Sequence, residues 1–101
     1  MSEGKKKIDS VGATGLILEH LMTLENEGKR GQTIYGLRSK AFRNSQRDER
    51  IKNLVEKLVK SGYVESFLSG EDKTLYVITD KGRNFYKDSV KKVMDLFRED
   101  I

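Results

Sequence analysis

The spacing of apolar residues changes at Gly62, and this change limits how the chain can fold more than any other feature. Before Gly62, apolar residues recur at every third or fourth position, which is the period of helices packed against a core. The helices predicted there span about 13–27, 34–42 and 46–60. After Gly62, residues 63–68 and 74–78 are rich in β-branched and aromatic side chains and flank a turn-forming segment, which predicts a β-hairpin. A helical pattern returns over about 80–99, so the predicted fold is mainly α with a small β-hairpin, in the order α-α-α-β-β-α.

Small residues mark the predicted helix ends. Gly28 is expected to end the first helix, because glycine readily takes the left-handed conformation of a C-terminal cap. Side-chain oxygens of serine, threonine, asparagine and aspartate accept hydrogen bonds from the first free N–H groups of a helix. The residues expected to cap the three later helices are Thr33, then Asn44 or Ser45, then Thr79 or Asp80.

The chain of 101 residues has the length of one domain. The lysine-rich residues 1–10 have little to bury and are predicted to form a disordered basic arm, which leaves 11–101 as the folded domain. The chain has no cysteine and no apolar run long enough to cross a membrane, which indicates a cytoplasmic protein. His20 is the only histidine, and no metal-binding, nucleotide-binding or catalytic motif surrounds it. We therefore expect neither a cofactor nor a metal nor enzyme activity.

Positive charge is concentrated in the middle of the chain. Residues 28–60 contain ten lysines and arginines against three acidic residues, a net charge of +7 in a chain whose total is +4. Such a concentration is typical of nucleic-acid-binding proteins. An ordinary solvated surface on a basic protein is the alternative interpretation.

Three segments resemble winged helix-turn-helix regulators of the PadR, MarR and ArsR kinds. KNLVEKLVKSGYVES, residues 52–66, resembles the junction between their recognition helix and wing. LYVITDKGRNFY, residues 75–86, resembles their second wing strand and the start of their C-terminal helix, and TIYGLRSKAF, residues 33–42, is similar to the second helix of PadR-type domains. The resemblance implies a winged-helix fold and binding to double-stranded DNA.

In that architecture the third helix, about 46–60, lies in the major groove. Gln46, Arg50 and Asn53 lie opposite its apolar face and are of the types that read base edges, whereas Arg47 and Lys57 suit phosphate contacts. Further contacts are expected from the second helix, from the turn before the third and from the wing tip. The full predicted DNA-binding set is Thr33, Tyr35, Arg38, Ser45, Gln46, Arg47, Arg50, Asn53, Lys57 and Lys73. The alternatives are a solvated helix face for the third helix and a core position for Tyr35.

The last helix carries a broad apolar stripe that is predicted to pair with a second copy and give a homodimer. The residues assigned to this contact are Phe85, Val90, Val93, Met94 and Phe97. The alternative is that they fold back on the first helix.

The function expected from these features is that of a nucleoid-associated transcriptional regulator. The alternatives are a DNA-coating architectural or plasmid-segregation protein, as some archaeal winged helices of this size are, and a winged helix that binds other proteins.

Overall fold

A computed structural model describes residues 9–70, 72–92, 95 and 96. The helices in this part of the chain are α1 (Ser10–Asn26), α2 (Ile34–Gly36, continued by a π-helical turn over Leu37–Ala41), α3 (Asp48–Lys60) and α4 (Asp80–Phe85, continued by a π-helical turn over Tyr86–Val90). The strands are β1 (Val64–Leu68) and β2 (Thr74–Ile78). The predicted order of three helices, a hairpin and a helix is confirmed. Residues 1–8 of the predicted arm, as well as Val93, Met94 and Phe97, lie outside the described residues.

Two predicted helix caps are present. The Thr33 hydroxyl accepts a hydrogen bond from the Gly36 N–H at 3.0 Å, and the Thr79 hydroxyl accepts one from the Gly82 N–H at 3.0 Å. Each satisfies one N–H group that the first turn of a helix leaves without a backbone partner. Thr79 also donates to the Gly62 carbonyl at 2.7 Å, so the start of α4 is fixed to the end of α3.

Two predicted helix starts are wrong. α1 begins at Ser10, earlier than position 13, because the Asp9 carboxylate caps it by accepting from the Gly12 N–H at 2.7 Å. Position 10 of the predicted arm is therefore helical. α3 begins at Asp48 rather than at 46, and its N-cap residue, Arg47, makes no side-chain cap bond.

The late start of α3 follows from the turn that precedes it. Arg43 and Asn44 both take left-handed backbone conformations, with φ angles of 51° and 63°. The Asn44 N–H donates to the Arg38 carbonyl at 2.8 Å and the Ser45 N–H to the Phe42 carbonyl at 2.9 Å. Neither Asn44 nor Ser45 is the N-cap residue of α3, since the chain turns through both before the helix begins.

The core lies between α1, the inner faces of α3 and α4, and the hairpin. Fully buried side chains from α1, α2, α3 and β1 meet there: Ile17, Leu18, Leu37, Ile51, Val55 and Val64. α4 closes this core, because the Tyr86 and Val90 side chains are buried in the same cluster. The Arg83 Nη1 atom lies 2.6 Å from both carboxylate oxygens of Glu25 at the end of α1. No helix in the described part of the chain is long and apolar enough to span a membrane.

The hairpin is fixed to the segment that precedes α2. β1 and β2 are antiparallel, with Ser66 opposite Tyr76. On the other side of β2, Gln32 and Tyr76 exchange two backbone hydrogen bonds of 3.0 and 2.9 Å. Gly31 allows this approach, because a Cβ atom there would lie 2.8 Å from the Tyr76 carbonyl oxygen and its φ of 149° is rare for other residues. The hairpin and the start of α2 are therefore one connected unit.

Candidate nucleic-acid interface

The turn between α2 and α3 is anchored at both ends. Phe42, which ends the π-helical turn, is only 3% exposed and holds the turn to the core. The Arg38 Nε atom lies 3.3 Å from an Asp48 carboxylate oxygen, so α2 is ion-paired to the first residue of α3. Two cations between these anchors, Arg43 and Arg47, are exposed. The turn therefore presents positive charge on a defined backbone.

Within the basic region 28–60, the acidic residues are confined to α3. Residues 28–47 contain six basic residues and no acidic one, and the first carboxylates that follow are those of Asp48 and Glu49 at the start of α3. Both carboxylates are exposed, and their negative charges interact favourably with the positive N-terminal end of the α3 dipole. Positive charge is consequently greatest on α2 and on the turn, not at the start of α3.

The exposed face of α3 carries alternating charges. Its exposed polar residues after the first turn are Lys52, Asn53, Glu56, Lys57 and Lys60. Asn53 and Lys57 are thus available to a ligand, as predicted from their helical spacing. Lys52 was not assigned a role from the sequence, although it lies on the same exposed face. Glu56 stands four residues from both Lys52 and Lys60, a spacing that favours ion pairs along a helix.

The two predicted base-reading residues nearest the start of α3 contact each other. The Arg50 Nη1 atom donates to Gln46 Oε1 at 2.6 Å, and both side chains are half-buried. Gln46 lies two residues before the helix begins and four positions from Arg50, a spacing at which side chains also contact each other within a helix. Neither side chain is extended into solvent in this structure, in contrast to Asn53.

The predicted contacts on α2 have different surroundings. Thr33 is half-buried and caps the helix, and Ser45 is half-buried in the turn. Tyr35 is 65% exposed, so the alternative prediction that it occupies a core position is wrong. The Arg38 guanidinium lies 5.2 Å from the centre of the Tyr35 ring, a cation–π geometry. Tyr35 therefore adds an exposed aromatic ring beside the basic turn.

Lys73 is exposed in the turn between β1 and β2. The Ser69 N–H donates to its carbonyl at 2.7 Å and closes this turn, in which Asp72 has a left-handed φ of 62°. The structure thus places the residues of α2, the basic turn and α3 on consecutive elements, and Lys73 on the turn of the hairpin.

The Gln32 side chain connects the start of α2 to α1 through two polar contacts. The Gln32 side-chain oxygen accepts from the Thr33 N–H at 3.0 Å, and its Nε2 atom lies 3.2 Å from His20 Nε2 on α1. Because the Gln32 oxygen is engaged, its NH₂ group must donate, and His20 Nε2 must be the unprotonated acceptor. Burial lowers the pKa of His20, the positive charge of Lys40 lowers it further, and the Glu27 carboxylate opposes both. Within the described part of the chain, His20 belongs to no group of three or more potential metal ligands.

Comparisons with protein-family models, curated proteins and solved structures found no match to this chain. What the surface can bind must therefore be inferred from its side chains, their charges and their positions.

Two of the five residues assigned to a dimer contact, Phe85 and Val90, are among the described residues, and both pack within their own chain. Val90 is 5% exposed and is part of the core beneath α1, so the structure corrects its assignment to a free surface. The Phe85 ring stacks on the Tyr63 ring with centroids 4.4 Å apart. Val90 therefore folds back toward the first helix, the alternative that the sequence had left open, whereas Phe85 packs on the residue that precedes β1. Leu96, the last residue that the structure describes, is 62% exposed.

Arg43, which the sequence contributed only as part of the charge count and not as a predicted contact, is exposed on the same turn. The signal that identifies it is the absence of acidic residues from 28–47, which separates the turn from the mixed charges of α3.

Proposed function

We propose that the protein binds double-stranded DNA as a cytoplasmic winged-helix protein, most simply as a transcriptional regulator that acts by occupying its operator. The order of the elements supports this proposal, because only residues 61–63 separate α3 from the hairpin and only Thr79 separates the hairpin from α4. In such a protein α3 enters the major groove, α2 crosses the phosphate backbone, and the hairpin forms the wing. The three resembling segments fall on α2, on the junction of α3 with β1, and on β2 with α4.

The observation that carries the proposal is the exposed basic surface next to an exposed helix face. Positive side chains that can replace the counterions of a duplex supply most of the affinity for DNA that does not depend on sequence. Arg43 and Arg47 offer such charge beside α3, and Lys57 continues it along the helix. Asn53 on the same face has the amide group that recognises adenine in the major groove.

A DNA-coating architectural or segregation protein is a second candidate, and the bond between Gln46 and Arg50 favours it. A guanine contact by Arg50 requires its two outer nitrogens to be directed at the base edge. One of them is engaged with Gln46 at 2.6 Å, and the exposed cations of α3 are lysines, which act on phosphates as point charges. Contacts of this kind position a protein on DNA without selecting a sequence.

We also propose that the protein acts as a homodimer, which would place two copies of α3 on two half-sites. Among the described residues, Leu96 supports this proposal, because it leaves an apolar side chain exposed beyond α4. Light scattering at high micromolar concentration tests it. A mass near twice 11.6 kDa is expected, and a monomer contradicts the proposal.

Fluorescence anisotropy with random and genomic-fragment duplexes, measured over a series of salt concentrations, tests DNA binding directly. Affinity that falls steeply with salt is expected, because cation–phosphate contacts release counterions. A genomic fragment that binds more tightly than random DNA supports the regulator, whereas equal and cooperative binding to all duplexes supports the coating protein. No binding at low salt contradicts both and favours a winged helix that binds other proteins.

A further inference from the structure

The turn between α2 and α3 carries charge that neither base reading nor core packing uses. We infer that Arg43 and Arg47 form a phosphate-binding pair that anchors duplex DNA at the start of α3 and is indifferent to its sequence. The inference rests on the proposed DNA binding and names two residues that contribute to its electrostatic part. Arg43 is exposed, and its backbone takes a left-handed conformation that is uncommon for residues other than glycine.

The backbone of the turn holds the two arginines in place before any ligand arrives. Phe42 is buried, so the next residue, Arg43, leaves the core at a fixed point. Hydrogen bonds from Asn44 N–H to the Arg38 carbonyl and from Ser45 N–H to the Phe42 carbonyl close the turn. A guanidinium on such a turn can donate two parallel hydrogen bonds to phosphate oxygens, and little backbone entropy is lost when it does.

The neighbouring charges leave these two guanidinium groups free to bind an anion. Asp48, the acidic residue closest to them in sequence, is ion-paired with Arg38 at 3.3 Å. Within the described residues, neither Arg43 nor Arg47 forms an ion pair with a carboxylate. The other cation of α2, Lys40, lies against His20 and Thr23 of α1, so it belongs to a different surface. Arg43 and Arg47 are therefore the exposed cations without an ion pair on the turn that leads into α3, while Lys29 and Arg30 precede α2.

The test is a salt series of anisotropy titrations with the full chain and one random and one genomic-fragment duplex. The variants are Arg43→Gln with Arg47→Gln, and Arg43→Lys with Arg47→Lys, which keeps the charge. Lys87→Gln is the control, because it removes an exposed positive charge from α4, the helix that packs on α1. Circular dichroism and thermal unfolding of each variant verify that the fold is retained.

The salt dependence of log affinity falls by about 0.9 for each phosphate contact that is lost. We expect the double glutamine variant to lose about 1.8 from this slope with both duplexes, the double lysine variant to keep most of it, and Lys87→Gln to match the unaltered chain. A double glutamine variant that matches the Lys87→Gln control overturns the inference while DNA binding stands. Equally, a loss confined to one of the two duplexes overturns the indifference to sequence. If the unaltered chain does not bind DNA at low salt, the proposed function fails and the inference fails with it.

Discussion

Arg50 Nη1 lies 2.6 Å from Gln46 Oε1, so the side chain best suited to reading guanine is tied to the residue two positions before α3 begins. A hydrogen bond of this kind contributes about 1 kcal/mol net, and more when one partner is charged. A specific base contact must exceed this amount before Arg50 turns toward DNA. The pair therefore bears directly on whether the protein selects its sites.

Replacing Arg50 or Asn53 by alanine tests base reading. If the protein is a regulator, each change is expected to cost about 1–3 kcal/mol at a preferred duplex and to relax the base preference, because a base-edge contact is lost. Lys57→Ala is the matched comparison and is expected to weaken all duplexes alike, since phosphate contacts carry no sequence information. Competition titrations with base-substituted duplexes measure both. Unchanged binding by all three variants means that α3 is not the helix in the groove.

Substituting Gly82 tests the packing of α4 on the hairpin. A Cβ atom at Gly82 would collide with the Tyr63 carbonyl oxygen and lie 2.8 Å from Ile78 Cγ1. We expect Gly82→Ala to lower the free energy of unfolding by about 1–3 kcal/mol, because backbone cannot move aside as a flexible side chain can. Urea unfolding measures this value. Gly70→Ala is the control, because nothing lies within 4 Å of the added atom. Equal stabilities for the two variants would show that α4 is not seated against Tyr63.

The contact between Glu25 and Arg83 joins the ends of two helices across 58 residues of sequence. Their side chains are partly exposed, so the energy of the pair is expected to be modest, about 0.5–1 kcal/mol. A double-mutant cycle with Glu25→Gln and Arg83→Met isolates the pairwise energy from the loss of the arginine stem. A coupling energy of zero would mean that the buried Tyr86 and Val90 hold α4 without help from the ion pair.

His20 makes the stability depend on pH in a defined direction. Its pKa in the folded protein is lowered by burial first and by Lys40 second, so the unfolded chain binds a proton at higher pH than the folded chain does. The stabilisation is complete above the ordinary histidine pKa of about 6.5 and is lost as pH falls through the folded value. We expect a smaller free energy of unfolding at pH 5.5 than at pH 7.5, measured in urea.

His20→Gln provides the control for this pH dependence. Glutamine keeps an acceptor for the Gln32 NH₂ group but does not titrate. The difference between pH 5.5 and pH 7.5 is expected to shrink in this variant, because carboxylates ordinarily titrate near pH 4, well below the window. If the difference is as large in His20→Gln as in the unaltered chain, another group is its source.

Local signals in the sequence predict much of the fold. The threonine caps of α2 and α4 depend on residues three positions apart, and the hairpin depends on β-branched side chains beside a turn, so neither requires knowledge of distant contacts. The start of α3 was predicted wrongly because asparagine and serine, the residue types of Asn44 and Ser45, are favoured at the N-cap position. The burial of Phe42 and the ion pair of Arg38 with Asp48 decide the boundary instead, and both are tertiary contacts.

The candidate interface was predictable in its charge but not in its geometry. Helical spacing places Asn53 and Lys57 on the exposed face of α3, as the structure does. It also places Gln46 and Arg50 four positions apart, which allows their contact, but it does not show that both side chains are half-buried. The pairing of Gln32 with Tyr76 is likewise inaccessible to pattern analysis, because a single pair of residues has no periodicity to detect.

The distant partners of α1 have a consequence for how the chain acquires its structure during synthesis. α1 is made first among the described elements. Its hydrogen bonds from Arg83 to Glu25 and from the Tyr86 hydroxyl to Glu19 can form only after the hairpin has been completed. Closing so long a loop costs chain entropy that only the finished core repays. While the chain emerges from the ribosome, the part of α1 that α4 covers must therefore stay exposed until α4 follows, and a nascent chain stalled before Asp80 would present that part to chaperones.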